Sequence, residues 1–134
     1  MLKAGNQTLV KINNQNAIIK FIIKNGPISR AELAKRLKIS KPTVSTNVEG
    51  LLEKNILLEV GRGETHIGKK PILLDFNKNY KYVLACDLSR NNSKIAVSNL
   101  QGEIVAEDKI VIYNNLAGRD MKEYIKNSVL GFLN

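Results

Sequence analysis

Six polar residues are clustered near the start of a predicted helix. They are Ser40, Lys41, Thr43, Ser45, Thr46 and Asn47. Hydroxyl, amide and ammonium groups in such a cluster can hold phosphate oxygens and form hydrogen bonds with base edges. Because all six fall in the first two turns of the helix, the pattern is typical of a recognition helix, whose N-terminal residues enter the major groove.

Two short helices joined by a tight turn are predicted to position this cluster. Ser29 and Glu32 have the spacing of a capping box, in which Glu32 reaches back to the backbone N–H of the cap. Lys38 and Ile39 form the turn, with Ile39 directed toward the core, and Ser40 caps the second helix. The inward-facing residues recur at helical spacing. They are Ala31, Leu33, Ala34 and Leu37 in the first helix and Val44, Val48, Leu51 and Leu52 in the second.

The ends of the second helix are also marked in the sequence. Pro42 is tolerated in its first turn, where backbone N–H groups have no intrahelical partner, and Asn55 is predicted to end it in a left-handed conformation. Ser29 and Arg30, at the start of the first helix, complete the DNA-facing set predicted for this part of the chain.

Other interpretations of the helix pair remain open. Any small helical domain contains helix pairs, and Ser40 and Thr43 can cap the helix without contacting DNA. Lys41 alone can be a solvated surface charge. What favours contact with DNA is the sequence on either side of the pair.

A basic, glycine-rich loop follows the helix pair. Residues 56–60 and 71–76 are predicted strands, and residues 61–70 form the loop between them. A strand, a basic loop and a strand directly after a recognition helix indicate a winged helix-turn-helix. Arg62, Lys69 and Lys70 are predicted to contact the phosphate backbone or to enter a narrow minor groove. The alternative is an ordinary solvent-exposed hairpin loop, in which His66 is solvated.

The chain carries a net charge of +9, and the basic surplus is concentrated in its first part. Residues 1–76 contain 13 Lys and Arg against 6 Asp and Glu, whereas residues 77–134 contain 8 against 6. The surplus therefore accompanies the predicted recognition helix, as phosphate binding requires. No cationic helix carries the aromatic-rich apolar face that favours an anionic membrane.

The numbers of cysteine and histidine residues and the hydropathy of the chain exclude several other classes of protein. Cys86 is the only cysteine, which excludes an internal disulfide and favours a reducing cytoplasm. With His66 as the only histidine, a four-ligand zinc site within one chain is excluded, and no metal or cofactor is predicted. No apolar run approaches the roughly 20 residues of a membrane span, and residues 1–16 lack the pattern of a signal peptide.

The predicted fold class is α+β, with two domains. Residues 1–76 form the winged helix-turn-helix DNA-binding domain, which begins with a loose arm over residues 1–8 and a helix that runs to about residue 24. From residue 77, predicted strands over residues 82–89, 94–100 and 102–112 lead to a helix over residues 120–133, capped by Asp120. The predicted inward residues are Leu9, Ile12, Ala17, Ile18, Phe21, Ile22 and Ile23 in the first helix, and Met121, Tyr124, Ile125, Val129, Phe132 and Leu133 in the last.

The block from Gly26 to Asn77, followed by a strand that ends in Asp87 and Leu88, resembles a known family. It is similar to the repressors of the ROK family (repressors, open reading frames and sugar kinases), and most closely to their xylose-repressor branch. The resemblance implies a winged-helix DNA-binding domain joined to an actin-like, sugar-kinase-derived domain that senses a sugar and mediates dimerisation. By that likeness, the six polar residues of the second helix face the operator.

The predicted wing departs slightly from the family pattern. The segment Gly68, Lys69, Lys70 and Pro71 stands where the family has a Gly-Arg-Lys-Pro-like motif. Lys69 keeps the charge of the more usual arginine but lacks the planar guanidinium that makes bidentate contacts.

A larger departure concerns nucleotide binding. Sugar kinases of this family carry an Asp-x-Gly-Gly-Thr phosphate loop after the first strand, because glycine N–H groups must approach the nucleotide phosphates closely. Residues 87–93 here contain no glycine, so ATP binding is not expected. Residues 77–134 are thus interpreted as the N-terminal part of an actin-like domain in a longer regulator. The family's sugar-binding and zinc motifs lie further along than this sequence extends.

The sequence therefore predicts a DNA-binding transcriptional regulator rather than an enzyme. The hypothesis is a cytoplasmic repressor of a carbohydrate-utilisation operon that binds a double-stranded operator as a homodimer, with a sugar effector only where a longer chain supplies the site. The alternatives are a sugar-kinase fragment and a winged-helix protein-interaction module.

Overall fold

The computed structural model of this chain describes residues 3–63, 70–89, 92–111 and 118–133. The chain forms two compact units, residues 1–77 and residues 78–134. The elements of the first unit, in chain order, are α1 (Lys3–Asn25), β1 (Ile28–Ser29), α2 (Arg30–Leu37), α3 (Lys41–Glu53), β2 (Leu57–Arg62) and β3 (Ile72–Phe76). Those of the second are β4 (Tyr82–Asp87), β5 (Ser93–Asn99), β6 (Ile104–Ile110) and α4 (Gly118–Phe132).

The core of the first unit is built from one apolar face of each helix and one residue of each longer strand. It comprises Ile18, Ile22, Leu33, Ala34, Val44, Val48, Leu51, Leu57 and Leu74. Eight of the nine are at most 1% exposed, and Ala34 is 7% exposed. The predicted inward faces of α2 and α3 are confirmed, except that Ala31 is exposed and that Leu37 and Leu52 lie half-buried at the edge of the core.

Helix α1 is longer and less buried than the sequence predicts. The expected loose arm over residues 1–8 is wrong for its described part, because the helix begins at Lys3. Ile18 and Ile22 are fully buried, but Leu9, Ile12 and Ile23 are 61%, 46% and 54% exposed. The sequence prediction merged two neighbouring apolar stripes into one, and the fully buried residues belong to the stripe of Ile18 and Ile22.

A three-stranded antiparallel sheet in the order β1-β3-β2 completes the first unit. Leu57 is opposite Phe76 at the base of the β2–β3 hairpin, and the register shifts between Glu59 and Gly61. The predicted hairpin is confirmed, with strand bounds displaced by one or two residues. The two-residue strand β1, missed in the sequence, joins the start of α2 to β3, because Ser29 is opposite Leu73.

The second unit contains the three predicted strands, which form an antiparallel sheet in the order β4-β5-β6. Helix α4 is linked to the end of β6, since the Tyr124 hydroxyl donates a hydrogen bond to the Val111 carbonyl at 2.7 Å. Two details of the prediction are wrong. Asp120 lies in the first turn of α4 instead of capping it, because the helix begins at Gly118, and Leu133 is 56% exposed.

The turn between β5 and β6 is held by a polar cluster. The buried Asn99 accepts hydrogen bonds from the backbone N–H groups of Gln101 and Glu103 through Oδ1, and Gly102 adopts the positive φ of 83° that the turn requires. Asn99 Nδ2 and Lys78 Nζ both donate to Glu103 Oε2 at 2.7 Å. The pKa of the Glu103 carboxyl therefore lies below its ordinary value, first because Lys78 donates to it and second because Asn99 does.

Within the described ranges, no helix is both long and apolar enough to cross a membrane. Across the same residues, no group of three or more His, Cys, Asp and Glu side chains is arranged to hold a metal ion.

The Glu103 cluster predicts a pH effect. A lowered carboxyl pKa contributes stability above the ordinary glutamate pKa, and that contribution is lost as the pH falls through the lowered value. Lys78→Ala should raise the pKa of Glu103 toward its ordinary value, measured by NMR titration of the carboxyl carbon. Lys81→Ala, which changes an exposed neighbouring lysine, should leave it unchanged. An ordinary Glu103 pKa in the unmodified chain would contradict this account.

Candidate nucleic-acid interface

The start of α2 is fixed by a side-chain cap. Ser29 Oγ accepts a hydrogen bond from the Glu32 backbone N–H at 3.2 Å, which satisfies one N–H of the first turn. The second half of the predicted capping box is absent from the structure, because the Glu32 carboxylate instead accepts from Arg36 Nε at 2.8 Å. At the other end, Lys38 has a left-handed conformation with φ 54° and ψ 38°. Ile39 then packs against the core, as predicted for the turn.

Both ends of α3 are fixed as well. Ser40 caps its start, with Oγ accepting from the Thr43 N–H at 3.3 Å. At its end, Asn55 has φ 56°, its N–H donates to the Leu52 carbonyl, and the N–H of Ile56 donates to the Leu51 carbonyl. These two bonds form a Schellman motif, and the predicted left-handed position of Asn55 is confirmed. Helix α3 therefore has defined ends and passes directly into strand β2.

Hydroxyl groups at the start of α3 are held by hydrogen bonds within the helix. Ser40 Oγ and Thr43 Oγ1 are 2.8 Å apart and share one hydrogen bond. Thr46 Oγ1 donates to the Pro42 carbonyl at 3.1 Å. Since a carbonyl oxygen can only accept, this bond uses the hydroxyl proton of Thr46, whose remaining lone pairs can accept a hydrogen bond.

The exposed surface at the start of α3, here called the α3 tip, combines the Thr46 hydroxyl oxygen with hydrogen-bond donors. Lys41 and Thr46 are exposed, and Thr43 and Ser45 are half-buried. The lysine ammonium has three donors and no acceptor, so the tip offers a cation together with hydroxyl oxygens. Such a surface can form hydrogen bonds with phosphates and with base edges.

Asn47 does not belong to this surface, contrary to the sequence prediction. Its side chain is 4% exposed, and Nδ2 donates to the Thr43 carbonyl at 2.8 Å. Its Oδ1 atom is buried and accepts no hydrogen bond from the described residues. Gln15 Nε2 is likewise buried and donates no hydrogen bond to them. Asn47 lies three residues after Val44 and next to Val48, so it falls on the buried face of α3. Its role is therefore in the packing of the helix.

A cleft brings together the start of α2 and the C-terminal end of the wing loop. It has a volume of about 340 Å³ and is lined by Ser29, Arg30, Ala31, Lys70, Pro71 and Ile72. Two of the predicted cations, Arg30 and Lys70, thus lie at one surface depression although they are 40 residues apart in the sequence. Pairing of β1 with β3 produces this proximity, because it connects the residues before α2 to those after the wing loop.

Arg30 is also held by a residue that the sequence did not indicate. Its Nη2 atom lies 3.3 Å from Glu59 Oε1 on β2, and the two side chains are 29% and 45% exposed. An ion pair this exposed contributes little to stability, about 0–1 kcal/mol. Its main consequence is to orient the guanidinium at the edge of the cleft.

The remaining wing residues are only partly described. Arg62 is exposed at the end of β2, opposite Ile72 of β3. Gly63 donates its N–H to the Pro71 carbonyl at 2.8 Å, which extends the pairing of the two strands at the loop end of the hairpin. Lys69, Gly68 and His66 lie outside the described residues, so their predicted roles stay predictions.

Comparisons with known proteins agree with this arrangement. A sequence profile described as winged helix-turn-helix DNA-binding matches residues 13–57, which include α2, α3 and the start of β2. The xylose repressor of Bacillus subtilis is 36% identical over 103 residues, covering 77% of this chain and 27% of that protein. The xylose repressor of Caldicellulosiruptor bescii is 32% identical over 123 residues, covering 91% of this chain and 30% of that protein.

A solved structure extends the agreement to the fold. The ROK family transcriptional regulator described as a homologue of the Escherichia coli MLC protein matches 92% of this chain with a TM-score of 0.66 and 24% identity. This chain belongs to the ROK family. The α+β fold with a winged helix-turn-helix at its start is the fold predicted from the sequence. This ROK chain spans less than a third of the length of the relatives it matches.

The buried position of Asn47 in this ROK chain makes a testable distinction. Asn47→Asp should lower the free energy of unfolding by about 3 kcal/mol at pH 7, because it places a carboxylate in the core. Thr46→Asp, one residue away on the exposed side of α3, should change it by no more than about 0.5 kcal/mol. Urea unfolding followed by circular dichroism measures both. Equal effects of the two substitutions on the free energy of unfolding would indicate that Asn47 lies on the exposed face of α3.

Proposed function

We propose that this chain binds double-stranded DNA in a sequence-specific manner, with the first two turns of α3 in the major groove. The observation that carries the proposal is the division of α3 into two faces. Val44, Val48 and Leu51 are at most 1% exposed, while Lys41 and Thr46 are exposed at the N-terminal end. A helix anchored along one side and polar at its exposed start has the form of a recognition helix.

Base recognition in this proposal rests on Lys41, Ser45 and Thr46. A lysine ammonium can donate to O6 and N7 of guanine. Thr46 already donates its proton to Pro42, so its hydroxyl oxygen is suited to accept from the N6 amino group of adenine or the N4 amino group of cytosine. The Ser45 hydroxyl can either donate or accept.

Phosphate contacts fix the position of the protein on the duplex. Ser40 and Thr43 lie at the capped start of α3, where the helix dipole favours a negative charge. Arg30, Lys70 and Arg62 supply cations at the cleft and at the wing, and Ser29 is at the start of α2. Lys69 is assigned to the same group because of its place in the wing sequence. When DNA binds, the Arg30 guanidinium must either exchange its contact with Glu59 for one with a phosphate or contact both groups.

The biological role proposed is repression of a carbohydrate-utilisation operon in the cytoplasm. Support comes from the names of the relatives, which include xylose repressors and the dual regulator NagC of Escherichia coli, 26% identical over 104 residues. The regulator is proposed to act as a homodimer on an operator with two-fold symmetry. Control by a sugar is proposed only for a chain that also carries a sugar-binding site.

The assignment of α3 predicts a difference between two lysines. DNA bound by the full chain is first selected from a random pool of duplexes, and the enriched sequence is then used in fluorescence anisotropy. Lys41→Ala should weaken binding by about 5- to 150-fold, because it removes a groove contact worth about 1–3 kcal/mol. Lys122→Ala, an exposed lysine of α4, is the matched control and should leave affinity unchanged. Equal effects, or no enrichment from the pool, would contradict the proposal.

The proposed phosphate contacts predict a steep dependence on salt. The logarithm of the association constant should fall linearly with the logarithm of the salt concentration, and Arg30→Ala should reduce that slope by about one. The measurement is the same anisotropy titration at several salt concentrations. A flat response in the unmodified chain would exclude phosphate contact as the source of affinity.

A further inference from the structure

Helix α1 carries a second stripe of residues, most of which lie outside the core. Its members alternate at spacings of three and four, and they are Leu9, Ile12, Asn16, Ile19 and Ile23. Leu9, Ile12 and Ile23 are 61%, 46% and 54% exposed, Asn16 is exposed, and Ile19 is half-buried. At 100° per residue the five fall within a sector of about 80°, so they form one continuous stripe, here called the α1 seam.

The α1 seam is distinct from the face that packs on α2 and α3. Ile18 and Ile22, which have no exposed surface, are centred about 120° from the middle of the seam. A helix that is apolar on two sides is expected to be covered on both. Along the described part of α1, only the Ile18 and Ile22 side meets the core, apart from Ile19 at the border between the two faces.

We propose that the α1 seam pairs with the same helix of a second copy of this chain. Alternation of three and four is the spacing of the a and d positions of a heptad, which place side chains in the interface between two helices. With Leu9 at a, the apolar positions are Leu9, Ile12, Ile19 and Ile23, and the single polar one is Asn16 at a. A lone asparagine at an a position pairs with its counterpart across such an interface and sets its register.

The residues beside the seam favour a second copy over other partners. The flanking e and g positions are occupied by Thr8, Asn13, Gln15, Lys20 and the buried Ile22, so there is one charge among five and little repulsion between identical helices. A membrane surface would require cations and aromatic rings along this border. DNA would require cations on the stripe itself.

The length of the seam sets the strength of the contact. From Leu9 to Ile23 it spans about two heptads, which is too short for a stable isolated coiled coil. The pair is therefore weak in solution and forms chiefly when two copies are bound to neighbouring half-sites, where the effective concentration is high. This step rests on the proposed DNA binding. Pairing of the two seams makes α1 the element that couples the two recognition helices bound to an operator with two-fold symmetry.

Two matched variants test the seam. Ile12→Glu places a charge in it, whereas Val10→Glu places the same charge on an equally exposed residue of the same helix, about 160° around from Ile12. Ile12 and Val10 are 46% and 52% exposed, and thermal unfolding of both variants should match that of the unmodified chain.

Binding is measured on duplexes that carry one or two copies of the selected half-site. All three proteins should bind a single half-site equally. The unmodified chain and Val10→Glu should bind two adjacent half-sites with cooperativity of about tenfold or more, and Ile12→Glu should bind them independently. Retained cooperativity in Ile12→Glu, or none in the unmodified chain, would overturn the proposal. A lower melting temperature for Ile12→Glu alone would also overturn it, because the seam would then be packed within one chain.

Crosslinking provides a readout that does not need DNA. In a Cys86→Ser background, Asn16→Cys should form a disulfide-linked dimer under mild oxidation at high protein concentration, and Val10→Cys should do so much more slowly. Equal rates would contradict the seam. If no protein binds a single half-site but Asn16→Cys crosslinks selectively, the DNA-binding proposal fails while the contact between α1 helices stands.

Discussion

The burial of one side of α3 is the constraint on which the rest of the first unit depends. Val44, Val48 and Leu51 meet Ile18 and Ile22 of α1 and residues of α2, β2 and β3 in a single core. Because close packing permits few alternative rotations of the helix, the direction of its other face is fixed as well. The polar tip is thus a consequence of the core, and its exposed residues are those that the core leaves outside.

Hydrogen bonds at the starts of α2 and α3 hold polar side chains that the core leaves outside. The caps at Ser29 and Ser40 satisfy N–H groups of the first turns of α2 and α3, and Thr46 is tied to Pro42. These side chains lose little further freedom when a ligand binds, which lowers the entropic cost of recognition. Pairing of β1 with β3 likewise brings Arg30 and Lys70 to one cleft. The resulting surface is organised before any partner arrives.

Local patterns predicted most of this arrangement, and the errors have identifiable physical causes. Caps, turns and helix stripes are encoded over three or four residues, so Ser40, Asn55 and the α3 face were predictable. Asn47 was assigned to the wrong face because its polarity outweighed its position, although the spacing from Val44 places it inward. Strand β1 has two residues, and their partners on β3 are 46 and 44 residues away in the sequence, which no local pattern reveals. Two apolar stripes on α1 looked like one because sequence alone does not show which of them the core occupies.

NMR mapping of backbone amides shows directly whether α3 meets the DNA. The full chain, labelled with nitrogen-15, is titrated with a duplex selected from a random pool. The largest changes in chemical shift are expected at the start of α3, in residues 41–46, with further changes at Arg30, Arg62 and Lys70. Residues 78–133 should change little. Changes concentrated in the second unit, with α3 unaffected, would contradict the claim that this helix meets the DNA.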